Sequence, residues 1–98
     1  MTNSDLYFNA ARAWATADGH ARKLEAMKEP ELAKRAKELG AELSVAAAER
    51  EVKASPEWHQ YIAAMVEART LANTEKAEME TLLMKHEEAM GRSRVQAA

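Results

Sequence analysis

After Pro56, residues 57–90 contain neither proline nor glycine, and this breaker-free run constrains the fold more than any other feature. Ser55 offers a side-chain oxygen to the first free amides. Pro56 takes the first helical position, where its missing N–H costs nothing, and Glu57 faces the positive end of the helix dipole. Gly91 is the residue type that ends such a helix in a left-handed turn. The run predicts one helix over 56–90, a rod of about 50 Å at 1.5 Å per residue. A chain of 98 residues folded compactly is narrower than that. Something must therefore cover the rod.

The length allows one domain over 1–98, with a core small enough that a second subunit is a reasonable supplement. Three glycines, two prolines and few aromatics favour packed helices over sheets. The absence of cysteine excludes a disulfide framework or a cysteine metal site. No run approaches the roughly 20 apolar residues needed to cross a bilayer. Residues 6–17, with Ala13-Trp14-Ala15, resemble a secretion signal, but they lack a basic start and are interrupted by Asn9 and Arg12. The cytoplasm is the expected location. The net charge of −2 divides into nine bases and nine acids over 1–54, then five and seven over 55–98. That balance lacks the excess of one sign that marks an autonomous nucleic-acid binder.

Along the chain, Ser4 or Asn3 can cap a first helix over 4–28, with a core-facing stripe of Leu6, Tyr7, Ala10, Trp14, Ala17, Ala21, Leu24 and Met27. Gly19 weakens its middle. Glu29-Pro30 reads as a boundary, because the residue before proline is pushed away from helical geometry while proline can open the next helix. A second helix is expected over 30–53, where Leu32, Ala36, Leu39, Leu43, Ala46 and Arg50 keep the alternating steps of four and three of a coiled-coil seam. Gly40 falls inside it. Ser55-Pro56 then makes either a tight turn of an antiparallel hairpin or a bend in a rod, and the hairpin is the commoner solution.

The third helix carries Trp58, Tyr61, Ile62, Met65, Ala68, Ala72, Met79, Leu82 and His86 on one stripe, and residues 91–98 should fray. An up-down-up arrangement would bring Tyr7, Phe8 and Trp14 to Trp58 and Tyr61, which would anchor the hairpin. It would leave about the last dozen residues of the third helix uncovered. That projection carries Met79, Leu82, Leu83, Met84 and Met90, and apolar projections seldom stay solvated. A two-fold dimer is the commoner way to cover one, with Met79, Leu82, Leu83 and Met90 as the oligomer or partner interface.

Little in the chain points to catalysis. His20, His59 and His86 lack a second histidine three to five positions away, so the spacing of a helical metal site is missing. The carboxylates of the third helix alternate with lysines, as on a solvated face. There is no glycine-rich phosphate loop and no nucleophile elbow, and no cofactor is implied. Arg22, Lys23, Lys28, Lys34, Arg35 and Lys37 would gather at the turn between helices one and two. Glu25, Glu29, Glu31 and Glu38 are interleaved with them and cancel most of the field. A solvated turn is the plain reading and phosphate contact the sharper one.

Over Ala48-Glu49-Arg50-Glu51-Val52-Lys53-Ala54-Ser55-Pro56-Glu57-Trp58, followed by Ala68-Arg69 and Asn73, the chain resembles small helical proteins encoded in the early regions of tailed bacteriophages. Those genes often lie beside genes for single-strand annealing or single-strand-binding proteins. In size and all-helical character it is also similar to phage recombination mediators, which oligomerise and load a recombinase on single-stranded DNA. The resemblance implies an accessory role in phage DNA recombination or replication and transfers no binding residue.

The expectation is an elongated all-α protein of three helices, a helical hairpin with a long C-terminal helix. It would act as a non-enzymatic adaptor, homodimeric, with a protein partner, with single-stranded DNA as a further candidate and no membrane. Two other classes stand beside it: an inhibitor of a host defence or nucleic-acid enzyme, working through its acidic third helix, and a structural coiled-coil component.

Overall fold

The computed structural model describes the backbone of residues 2–97 and the side chains of residues 2–91. The described residues form three helices, α1 (Asn3–Glu38), α2 (Val45–Ala54) and α3 (Pro56–Ala97), in a molecule of 78 × 19 × 15 Å. It is all-α and elongated. Helices α1 and α3 run antiparallel as a long two-helix stem, and α2 packs chiefly on α1 at the closed end, where residues 39–44 and Ser55 turn the chain.

The cap of α1 is Thr2, not Ser4 or Asn3. Its hydroxyl accepts from the Asp5 amide and the Asp5 carboxylate accepts from the Thr2 amide, each at 3.1 Å, so two orphan donors are satisfied reciprocally. The boundary expected at Glu29-Pro30 is absent, because α1 continues through Pro30 to Glu38. A proline inside a helix deletes one hydrogen bond and costs about 3 kcal/mol. Its exposed position leaves the freed carbonyl to water, and the residues beyond it bury Leu32 and Ala36 against α2 and α3. Tertiary packing outweighs the local penalty.

The break falls instead at Gly40, whose φ of +96° is the left-handed conformation that a side chain resists. The Leu39 and Gly40 amides bond back to Ala36 and Lys37 carbonyls and close α1. The seam expected over 30–53 is therefore cut. Leu32 and Ala36 lie in α1, Leu39 and Leu43 are exposed in the connection, and Ala46 and Arg50 face solvent on α2.

Ser44 caps α2 by accepting from the Ala47 amide at 3.2 Å. A single residue then separates α2 from α3. The Ser55 hydroxyl donates to the Val52 carbonyl at 2.6 Å and accepts from the Trp58 amide at 3.2 Å, ending one helix and capping the next. The start of α3 at Pro56 is where the sequence places it. Its end is not, since α3 passes Gly91 and reaches Ala97, so the fraying expected over 91–97 is replaced by helix and Ala98 lies outside the described residues.

Two clusters hold the fold. At the closed end Leu32, Ala36, Ala48, Val52 and Trp58 are buried together, with Tyr61 and Ile62 against them. Along the stem the seam is alanine, with Ala17 and Ala21 of α1 against Ala68 and Ala72 of α3 and Leu24 beside them. Small side chains let the helix axes approach closely but remove little apolar area from water. Gly19 plays no part in this approach, because nothing lies within 4 Å of where its Cβ would be.

Candidate interaction surfaces

The register of the stem follows from its cross-helix contacts. The Tyr61 hydroxyl donates to the Leu24 carbonyl at 2.6 Å, and Arg69 reaches both Asp18 and Glu25. In this antiparallel register Tyr7 and Phe8 stand level with residues 79–82 of α3. They meet each other edge to face at 5.9 Å, far from Trp58 and Tyr61. The expected gathering of aromatics at one end is thus corrected. It assumed an up-down-up order with the first helix parallel to the third, whereas α1 runs on through Pro30 and lies antiparallel to α3.

At the closed end Trp58 and Tyr61 stack at 5.3 Å with their rings 9° from parallel, and the Arg35 guanidinium lies 5.6 and 5.7 Å from the two ring centroids. Arg35 Nε donates to Glu31 at 3.0 Å, while its Nη1 is buried without a hydrogen-bond partner. Trp58 is 3% exposed and ties α3 to both other helices.

Halfway along the stem, Arg69 clasps α1 with its whole fork. Nε and Nη2 bond the two oxygens of Glu25 at 2.9 and 2.8 Å, and Nη1 bonds Asp18 at 2.8 Å. Arg22 reaches the other Asp18 oxygen at 2.7 Å. The hydrogen bonds from Arg69 hold the Asp18 and Glu25 carboxyls below their ordinary values, and those same bonds push Arg69 upward. No reading of the sequence placed Arg69 in this role. Asp18 and Glu25 lie seven apart on one face of α1, but only the register brings an arginine of α3 between them.

The six basic residues expected at a turn do not gather. With Pro30 inside α1, positions 22–37 spread over about 22 Å of a continuous helix. Arg22 is held by Asp18 and Arg35 by Glu31 and the two rings, leaving Lys23, Lys28, Lys34 and Lys37 dispersed along the rod. The phosphate-binding cluster is therefore not formed as expected.

The proposed interface also divides. Met79, Leu82 and Leu83 are half-buried alongside the first turns of α1, because α1 begins level with about residue 84 of α3. The uncovered segment starts near His86, about two turns later than expected. It carries Met90, 48% exposed, in a shallow hollow with Leu83, His86 and Glu87. Elsewhere Val45, Phe8 and Met84 are among the exposed large apolar side chains, and an apolar hollow lies between α1 and α2, lined by Ala33, Ala36, Leu43, Val45 and Ala48.

Among the described residues no helix is long and apolar enough to cross a membrane. No three histidine, aspartate or glutamate side chains among them converge as metal ligands would. Comparison with family models, with curated proteins and with solved structures finds no match for this chain.

Proposed function

We propose that this protein is a non-enzymatic helical adaptor that works as a homo-oligomer, a dimer, through helix-on-helix association. One observation carries the reading. A compact monomer of 10.9 kDa exposes about 5,600 Å² of surface by the usual scaling of area with mass. This chain exposes 7284 Å², and ten large apolar side chains stand in that surface. Slender helical pairs of this kind gain stability by burying more area in an assembly. The end of α3 beyond about His86, with Met90 exposed, offers a protein partner a helix that α1 does not cover. The resemblance over Ala48 to about Met90 supports an accessory part in phage DNA recombination or replication, exercised in the host cytoplasm. With the bases dispersed along α1, that part would run through a protein partner more than through direct contact with single-stranded DNA.

Light scattering on the purified chain tests the reading. The expected mass is twice 10.9 kDa at tens of micromolar, falling toward the monomer on dilution. A native chain that stays monomeric at that concentration would remove the homo-oligomer.

A further inference from the structure

The stem has two long grooves, and only one is filled. α2 sits over Leu32, Ala36 and Trp58 on one side, and the spacing of Asp18, Glu25 and Arg69 puts the clasp on that same side. The opposite groove is bare. Ala13, Ala17, Ala64 and Ala68 line it, His20 flanks it, and Leu71 stands in it 52% exposed.

We propose that a second copy of this chain fills the bare groove, hairpin on hairpin, about a two-fold axis parallel to the helices, so that each α1 lies over the α3 of the other copy. This rests on the homo-oligomeric reading above and specifies its surface. Area and shape favour it. Each copy carries about 1,700 Å² more surface than a compact monomer of its mass, and a stable pair needs about 800 Å² from each partner. A floor of alanines admits a facing helix at the 8–10 Å separation of ordinary helix packing.

Charge then selects the axis. Arg12 of α1 and Glu67 and Glu75 of α3 line the bare groove, and the helical period puts Asp5 and Lys23 of α1 and Lys85 of α3 along the same rim. None of these six is in an ion pair among the described residues, and of them Asp5 accepts a hydrogen bond from the Thr2 amide. The register set by Arg69 with Asp18 and Tyr61 with Leu24 puts Asp5 level with Lys85, Arg12 with Glu75 and Lys23 with Glu67, each within about a turn. An axis along the helices preserves these levels and lays α1 of one copy on α3 of the other, so each pair meets with opposite signs. An axis across the stem instead lays like helix on like, bringing Glu67 and Glu75 toward their own counterparts and Arg12 and Lys23 toward theirs. Complementarity of this kind fixes register and suppresses the alternative. The chosen axis also sends both free ends of α3 out of the same end of the dimer, side by side.

The chain has no cysteine, so a single Glu88→Cys variant takes one spin label per copy. The proposal expects a dimer by light scattering and a label separation below about 30 Å, from a helix diagonal of about 14 Å plus the label arms. Arg12→Glu and Glu75→Arg should each weaken the dimer at least tenfold, the double reversal should restore it, and Leu71→Lys should give monomers whose circular dichroism stays helical. A separation near 50 Å, expected if like helices face each other about the level of Leu71, overturns the axis and leaves the adaptor reading standing. A dimer indifferent to Leu71→Lys and to both reversals overturns the groove in the same way. A chain that is monomeric throughout overturns both.

Discussion

The closed end and the stem are built from the same helices yet held by different forces. At the closed end, three helices converge on Trp58, and large side chains leave water together. In the stem, the only described residues with no exposure at all are Ala21 and Ala72, and the helices are kept in register by the Arg69 fork and the Tyr61 hydroxyl. One region relies on buried area and the other on proximity and polar geometry. A rod this thin can therefore keep its register along its length while its larger buried side chains gather at one tip.

The sharpest way to break that contrast is Trp58→Ala. Removing a buried tryptophan costs about 3–5 kcal/mol, and here it also strips Arg35 and Tyr61 of the ring they stack on. Denaturant unfolding should show the loss, and native hydrogen exchange should show α2 opening before the stem. If α2 keeps the protection of the stem in this variant, the closed end is not held by Trp58.

The stem should fail in the opposite manner, by having too much rather than too little. Ala72→Leu places a branched side chain where the residue is 0% exposed, which costs about 1–3 kcal/mol by overpacking and forces the axes apart. The same change at the exposed Ala77 serves as the control and should leave stability unchanged. Equal unfolding midpoints for the two variants would mean that close approach along the alanine seam contributes nothing.

These two responses also show what was legible in the sequence. Helical class, elongation and the start of α3 were readable because Ser55 and Pro56 act locally, through a cap and a fixed φ. The ends of α1 and α3 were not. Pro30 carries the stronger local signal and Gly40 the weaker, but Leu32 and Ala36 lie beyond Pro30 and find their partners on α2 and α3, so long-range packing decides between the two. The alanines of the stem were visible as a stripe on α1, yet their role depends on Ala68 and Ala72 arriving opposite them. Met79, Leu82 and Leu83 were picked out as apolar correctly by type, but how much of them α1 covers is a matter of register. The Arg69 clasp was invisible for the same reason, since it joins positions 44 and 51 apart in the chain.

The clasp supplies the smallest effect and the most specific one. Arg69 holds the Asp18 and Glu25 carboxyls below their ordinary values of 3.8 and 4.5, so between folded and unfolded values the unfolded chain binds more protons than the folded one. The stabilisation is complete above about pH 5.5 and is lost as the pH falls through the depressed values of the folded state. In Arg69→Met the two carboxyls lose their main donor, and unfolding midpoints measured from pH 7 down to pH 3 should decline less steeply than in the native chain. Some acid sensitivity remains, because Asp18 keeps Arg22 at 2.7 Å and Asp5 keeps its hydrogen bonds to Thr2. The partial exposure of the arginine and its partners means that added salt narrows the gap between variant and native at neutral pH. Parallel pH profiles for the two proteins would show that the fork orders the stem without stabilising it, and the polar half of the contrast between stem and closed end would fall.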